Sequence, residues 1–148
     1  MNNGVILLVE DNPDDEELTL RAFKIKKVTN KVVVVRDGAE ALDYLFATGA
    51  WAGRDGSVMP AMTILDIKLP KMDGFEVLRR IRADERTKLL PVVILTSSKE
   101  AEDIVNGYNL GANSYIRKPV DFSQFTEAIH SLAQFWLVLN EPVPVAGL

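Results

Sequence analysis

Three carboxylic acids stand directly after apolar runs of the chain, a placement that gives them the potential for chemistry. Glu10 and Asp11 follow the run 5–9, and Asp66 follows the run 62–65. Three carboxylates in a small space repel one another, so at neutral pH they need a cation. The chain has no cysteine, and a site made of oxygen ligands favours a hard ion such as Mg2+. We therefore predict a magnesium site at these three acids.

Two further polar residues stand at matching positions after later runs. Thr96 follows the run 92–95, and Lys118 follows the run 114–117. A carboxylate oxygen can attack phosphorus to form an acyl phosphate, and a divalent ion beside it neutralises phosphate charge. A lysine ammonium pairs with carboxylate or phosphoryl oxygens, and a threonine hydroxyl can donate to them. Singly, such residues are often helix caps or turn residues, but their joint order predicts phosphoryl chemistry at Asp66.

Five short runs alternate with segments of helical periodicity. The runs are VILLV at 5–9, VVVV at 32–35, MTIL at 62–65, VVIL at 92–95 and SYIR at 114–117. Strands that are apolar on both faces are typical of a parallel sheet covered by helices. The alternation predicts an α/β fold, a doubly wound five-stranded parallel sheet with helices on both faces. Ligands of such sheets bind beyond the carboxyl ends of the strands, so we expect the polar residues to share one rim.

Length and composition indicate a single globular domain. The chain has 148 residues, of which 47% are hydrophobic and 26% charged, enough for a core without disulfides. A net charge of −4 gives no electrostatic reason to bind nucleic acid. No apolar run approaches the roughly 20 residues that cross a bilayer, and the N-terminus lacks a leader pattern. We expect a cytoplasmic protein with no direct contact with nucleic acid or membrane.

Four segments together resemble the receiver domains of two-component response regulators. They are ILLVEDNPDD at 6–15, TILDIKLPKMDGFEVLRRIR at 63–82, VVILTSS at 92–98 and GANSYIRKP at 111–119. The resemblance covers most of the chain and implies a flavodoxin-like fold with strand order 2-1-3-4-5. It also implies a response regulator that takes a phosphoryl group from a sensor histidine kinase in a Mg2+-dependent reaction.

The same resemblance implies roles for the polar residues. Asp66 would be the phospho-acceptor, with Thr96 and Lys118 binding the phosphoryl group. The implied metal ligands are Glu10, Asp11, Asp66 and the backbone carbonyl of Lys68. Tyr115 would be the switch residue that turns inward when Thr96 moves. The peptide bond between Lys118 and Pro119 is expected to be cis.

Within the family, the sequence is similar to regulators paired with bacterial and cyanobacterial phytochromes. The shared features are the EDNPDD segment at 10–15, a long loop at 48–60, the LDIKLPKMDG segment at 65–74 and an aromatic-rich C-terminal extension. This similarity implies that the partner is a phytochrome, a light-sensing histidine kinase. Such regulators are often dimers.

The C-terminal part predicts a contact with a second copy of the chain. We assign residues 1–140 to the receiver domain and 141–148 to a tail, and without a second domain we expect output through protein binding. The run FWLVL at 135–139 cannot point entirely into a core, and an exposed apolar patch indicates an interface. We predict a homodimer contact through Phe135, Trp136 and Leu139, with the tail as a candidate participant. The alternative is a tail that folds back over the patch.

Two alternatives to a phosphorylation switch remain open. One is a phosphatase with an aspartyl nucleophile. Many such enzymes use a second Asp two positions after the first as general acid–base, and here that position is Lys68. The other is a receiver-like binding module that phosphorylation does not control. We expect a protein that is no enzyme beyond catalysing its own phosphorylation and dephosphorylation.

Overall fold

The computed structural model describes residues 4–144, which form five strands and five α-helices in alternation. The strands are β1 (Ile6–Val9), β2 (Val32–Val35), β3 (Met62–Leu65), β4 (Val92–Thr96) and β5 (Ser114–Arg117). The helices are α1 (Pro13–Ile25), α2 (Gly38–Phe46), α3 (Gly74–Ala83), α4 (Ala101–Asn109) and α5 (Phe122–Ala133). A short 3-10 helix, Gly49–Trp51, lies within the loop before β3.

The strands form one parallel sheet in the order β2-β1-β3-β4-β5. The predicted doubly wound sheet and its strand order are therefore confirmed. In the register of the central strands, Val9 at the end of β1 pairs with Val35 on one side and Leu65 on the other. Those three strands consequently end at the same level, and the residues that follow them start from a common edge.

Each face of the sheet has its own apolar core. Leu7 and Val9 of β1 point to the core that contains Leu45 of α2 and Leu78 of α3. Ile6 and Leu8 point to the other core, which contains Phe23 of α1 and Ile129 of α5. Because side chains alternate between the faces of a strand and both faces are covered, every residue of β1 must be apolar. This explains the continuous rather than alternating runs.

Polar caps fix where the helices start relative to the strands. The side chain of Asn12 accepts hydrogen bonds from the backbone N–H groups of Asp14 and Asp15, and Pro13 is the first residue of α1. Asn is a favoured cap and proline suits the first helical position. Aspartates cap three of the other helices, namely Asp37, Asp73 and Asp121.

The last helix does not continue as a regular α-helix. After Ala133 the backbone widens into a π-helical segment, Gln134–Leu139. Residues 141–144 form neither helix nor strand, and the rest of the predicted tail, 145–148, lies outside the described residues. Across residues 4–144, no helix combines the length and apolar character needed to cross a membrane.

Candidate functional site

The sheet places the predicted site residues at its carboxyl edge. Glu10 follows β1 directly and its N–H donates to the carbonyl of Val35 at 3.0 Å. Asp66 follows β3 and its N–H donates to the carbonyl of Val9 at 3.2 Å. These two bonds extend the sheet pairing by one residue beyond the strands, so the backbones of both acids are held by the sheet itself.

Glu10, Asp11 and Asp66 come together as a cluster of carboxylates. One oxygen from each lies within 4.8 Å of the others. Glu10 and Asp66 are buried, being 2% and 7% exposed, whereas Asp11 is exposed to solvent. An all-carboxylate donor set that is open on one side fits a hard divalent cation that keeps part of its water shell. The residues present therefore suit Mg2+.

Lys118 provides the positive charge of this pocket. Its Nζ lies 2.7 Å from Oε1 of Glu10, 2.9 Å from Oδ2 of Asp66 and 2.8 Å from Oδ2 of Asp15. An ammonium has three N–H donors, so each can be directed to a different carboxylate. Burial alone would lower the pKa of Lys118, but the bonds to Asp15 and Glu10 and the charge of Asp66 outweigh it and raise that pKa. The lysine is therefore fully charged at neutral pH.

Asp15 is the member of the pocket to which the sequence assigned no role. It lies within the recognised segment 6–15, and a signal for its position was present. With Asn12 as the cap of α1, Asp15 falls in the first helical turn. Side chains of a helix tilt toward its N-terminus, which here faces the strand ends. An acid at that position is directed back toward the site.

Backbone N–H groups orient the two buried acids. The N–H of Lys68 donates to Oδ1 of Asp66 at 3.1 Å, and the N–H of Asn12 donates to Oε2 of Glu10 at 3.2 Å. Each acid thus binds a backbone group with one oxygen and Lys118 with the other. Burial raises the pKa of Glu10 to about 7, despite the opposing effect of Lys118. The side chain of Lys68 is exposed.

Thr96 and Tyr115 lie on one chain of contacts that leads away from the pocket. Thr96 is fully buried, and its hydroxyl oxygen accepts a hydrogen bond from the N–H of Ser98 at 3.4 Å. The hydroxyl of Tyr115 donates to the carbonyl of Ser98 at 3.0 Å. Its ring packs against the core on the α2 and α3 side. Burial raises the pKa of Tyr115, and the negative charges of Asp103 and Asp66 add to this rise.

The expectation of a cis bond between Lys118 and Pro119 is wrong, because the peptide bonds of residues 4–144 are all trans. The trans form is favoured by roughly 0.5–1 kcal/mol before proline. The N–H of Lys118 donates to the carbonyl of Thr96 at 2.7 Å, while the side chain still reaches three carboxylates.

The predicted contact residues at the C-terminus are unequally exposed. Phe135 and Leu139 are 48% and 65% exposed, whereas Leu137 is buried at 3%. Trp136 is only half-buried because it packs against the core beneath α1 and α5, and its ring also contacts Phe135 edge-on. The exposed apolar surface is therefore centred on Phe135 and Leu139, with Trp136 at its base.

Comparison with known proteins identifies relatives over nearly the whole chain. The family model described as "response regulator receiver domain" matches residues 6–130. The probable methanogenesis regulatory protein FilR2 of Methanothrix harundinacea is 39% identical, with 92% of this chain and 85% of that protein covered. The response regulator Rcp1 of Synechocystis is 34% identical, with 90% of this chain and 88% of that protein covered.

Solved structures of relatives have the same fold. The phosphorylated cyanobacterial phytochrome response regulator RcpA is 38% identical and superposes with a TM-score of 0.88, over 96% of this chain and 99% of that one. The Mn(2+)-bound form of Rcp1 superposes with a TM-score of 0.86 at 31% identity, over 95% and 99% of the two chains. The chain therefore belongs to the response-regulator receiver domain family and is similar to phytochrome-associated response regulators.

Proposed function

We propose that this protein is a phosphorylation switch in which Asp66 accepts a phosphoryl group from a sensor histidine kinase in a Mg2+-dependent reaction. One observation carries the proposal: Asp66 lies in one cluster with two further acids, Glu10 and Asp11, and pairs with the ammonium of Lys118. This set combines a nucleophilic carboxylate, ligands for a cation and a counter-charge for phosphoryl oxygens.

Each residue of the site has its own role in the phosphoryl transfer. An oxygen of Asp66 attacks phosphorus, the bond from phosphorus to the donor nitrogen breaks, and an acyl phosphate forms on Asp66. Lys118 turns one N–H from Asp66 to a phosphoryl oxygen, and Thr96 donates its hydroxyl to another. Glu10, Asp11, Asp66 and the Lys68 carbonyl would hold Mg2+, which supplies charge neutralisation when bound. The Mn(2+)-bound form of Rcp1 supports a divalent cation in this family.

We assign the kinase partner to the phytochromes and the reaction to the cytoplasm. The similarity to RcpA, a phytochrome response regulator, over 96% of this chain supports this partner. FilR2, a probable methanogenesis regulatory protein, is also similar to this chain. Phosphoryl transfer from a kinase that is not a phytochrome would therefore change the assignment of the partner. The test is phosphoryl transfer from purified phytochrome kinases and from light-independent kinases of the same organism, compared at equal concentration.

Output from this switch is a change in binding rather than turnover of a substrate. Movement of the Thr96 hydroxyl toward a phosphoryl group would break its contact with the Ser98 N–H. Tyr115 holds the carbonyl of the same Ser98, so the loop between β4 and α4 would transmit the change to the surface. A local charge change needs such a two-state element to have a distant effect.

We further propose that residues 1–140 act as one receiver domain that forms a homodimer through Phe135, Trp136 and Leu139. The exposure of Phe135 and Leu139 supports this contact, since exposed apolar patches mark interfaces. Sedimentation of Leu139→Ala tests it, with Leu89→Ala as the matched control, because Leu89 is a leucine of similar exposure elsewhere, at 56%. Loss of the dimer in Leu139→Ala alone supports the contact, whereas a monomeric wild-type protein rejects it.

Intact-mass measurement after incubation with acetyl phosphate and Mg2+ tests the proposed function. A single phosphoryl adduct on the wild-type protein that is absent in Asp66→Asn supports the switch. Steady phosphate release from varied phosphate esters would instead support an aspartyl phosphatase. The absence of any adduct, with acetyl phosphate and with a cognate kinase, would support a binding module that phosphorylation does not control.

A further inference from the structure

We propose that Asp15 is a positioning residue that holds the Lys118 ammonium in place while the phosphoryl group is transferred. The inference rests on the proposed phosphorylation of Asp66 and adds a residue to that reaction. Asp15 does not contact the reacting carboxylate in this proposal. It acts only through Lys118, whose Nζ lies 2.8 Å from its Oδ2.

The backbone around Asp15 is well anchored. Its N–H donates to Oδ1 of the cap residue Asn12 at 3.2 Å, and its carbonyl accepts from the hydroxyl of Thr19 at 2.8 Å. Both bonds lie within the first turns of α1, so the Asp15 carboxylate is presented from a rigid element. Lys118 carries its ammonium on a flexible four-carbon stem. The side chain as a whole is 8% exposed. A rigid partner restricts where such an ammonium can lie.

Asp15 differs chemically from the other two partners of Lys118. Glu10 and Asp66 belong to the carboxylate cluster that suits a cation, whereas Asp15 lies outside that cluster. The cation would draw on the charge of both Glu10 and Asp66, and acyl phosphate formation uses the carboxylate of Asp66. Of the three carboxylates that pair with Lys118, Asp15 is then the one that neither the cation nor the phosphoryl group would use. It can hold one N–H of Lys118 while another N–H turns to a phosphoryl oxygen.

The first test compares Asp15→Asn with Asp14→Asn by the initial rate of acyl phosphate formation from acetyl phosphate. Asp14 is the exposed neighbour on the same helix, so both variants lose the same charge. We expect Asp15→Asn to slow the reaction about tenfold, since small misplacements of a catalytic group have large effects on rate. We expect Asp14→Asn to stay within about twofold, the effect of a change in surface charge alone. Half-saturation by Mg2+ should move equally in both variants.

A double-mutant cycle then asks whether Asp15 acts through Lys118. In a Lys118→Met background, Asp15→Asn should cause no further loss of rate, because the group that it positions is gone. The same tenfold loss in both backgrounds would overturn the proposal. So would a rise in the Mg2+ half-saturation confined to Asp15→Asn, because Asp15 would then act on the cation.

A spectroscopic measurement keeps the proposal falsifiable if a double variant does not fold. The Cε resonance of Lys118 in 13C-labelled protein should shift in Asp15→Asn and stay in place in Asp14→Asn. An unchanged resonance in Asp15→Asn would overturn the proposal without any activity assay. Wild-type protein that forms no adduct, with acetyl phosphate and with a cognate kinase, rejects the proposed function. An adduct formed at equal rates in wild type and Asp15→Asn rejects this inference alone.

Discussion

Gly74, the first residue of α3, packs directly against the backbone of Asp66: a β-carbon on Gly74 would lie 2.4 Å from the Asp66 carbonyl oxygen. The same β-carbon would lie 2.6 Å from the Cα of Ile67. Both contacts are with backbone, which cannot move aside as a side chain can. The N–H of Gly74 also donates to the Ile67 carbonyl at 2.9 Å. The close approach of α3 to the acceptor segment therefore requires glycine at this position.

Gly74→Ala should impair both stability and phosphorylation. Overpacking of this kind costs about 1–3 kcal/mol of unfolding free energy, and the backbone shift that relieves it displaces Asp66. Denaturant unfolding and the rate of adduct formation measure the two effects. Gly53→Ala is the control, because nothing lies within 4 Å of a β-carbon there. Equal behaviour of the two alanine variants would mean that the contact at Asp66 is not restrictive.

Lys118→Met should destabilise the metal-free protein strongly. The change leaves two buried carboxylates, Glu10 and Asp66, without their counter-charge, and loss of one partner from a buried ion pair costs about 3–5 kcal/mol. Urea unfolding in EDTA should show this loss, and Mg2+ should recover part of it. Lys26→Met is the control, because its pair with Glu127 is far more exposed and should contribute about 1 kcal/mol or less. A Lys118→Met protein as stable as wild type in EDTA would contradict the charge balance described here.

Mg2+ binding should weaken as the pH falls through about 7. Burial raises the pKa of Glu10 from 4.5 to about 7, so below that pH a proton occupies the carboxylate and must leave when the cation binds. One displaced proton lowers the apparent affinity by up to about tenfold per pH unit. Between pH 4.5 and about 7, Glu10 holds its proton more tightly in the folded than in the unfolded protein. The stability of the metal-free fold should therefore fall as the pH rises through this range. Mg2+ should offset this effect at the upper end of the range.

Thermal unfolding with and without Mg2+ measures this dependence. The rise in Tm caused by Mg2+ should be larger at pH 8 than at pH 6 for the wild-type protein. Glu10→Gln should remove most of the difference, because the amide does not titrate. If Mg2+ raises the Tm of the wild-type protein equally at both pH values, protonation of Glu10 does not compete with the cation.

Thr63→Val should stabilise the protein by about 1 kcal/mol. Within residues 4–144, the Thr63 hydroxyl is the one buried side-chain polar atom without a hydrogen-bond partner, and burying such a group unpaired costs about 1–3 kcal/mol. Valine has nearly the same shape and lacks the hydroxyl. Thr87→Val is the matched control and should be destabilising, because the buried Thr87 hydroxyl donates to the Ile81 carbonyl at 2.6 Å. Equal shifts in the urea midpoint for both variants would reject the explanation.

The sheet could be predicted from sequence because its strands are short apolar runs with polar boundaries. The bounds of Val32–Val35 and Met62–Leu65 match the predicted runs, and β4 extends its run by one residue to Thr96. Because both faces of the sheet are covered, these strands do not alternate between apolar and polar residues, and each continuous apolar run marks a strand. The strand order came from the family resemblance, since pairing between distant segments has no signal in local periodicity.

The end of α5 shows where periodicity fails. Ile129 and Leu132 are buried on the inner face of α5, and regular α-helical spacing would place Trp136 next on that face. In the structure the π-helical segment adds a residue to that turn, so Leu137 is buried at 3% and Trp136 is only half-buried. A π-helical turn depends on how the side chains pack in three dimensions, and an i, i+3, i+4 pattern cannot reveal it.

The sequence identified the site residues that lie at strand ends, but it did not reveal all of the contacts between them. Glu10, Asp66 and Lys118 could be identified because each directly follows a predicted strand. Asp15 was missed because an acid in the first turn of a helix has an ordinary explanation in the helix dipole. The N–H of Lys68 on Asp66 was also missed, since backbone groups carry no sequence signal. The need for glycine at position 74 was also not evident from sequence, because it arises from close packing against the backbone of Asp66.

Chemical trapping of the modified residue tests the central claim most directly. The protein is incubated with acetyl phosphate and Mg2+, reduced with borohydride and digested, and the peptides are sequenced by mass spectrometry. Reduction converts an aspartyl phosphate to homoserine, so the prediction is homoserine at position 66 with Asp11 and Asp15 unchanged. Homoserine at another position, or an unmodified Asp66 in protein that carries an adduct, would contradict the assignment of Asp66 as the acceptor.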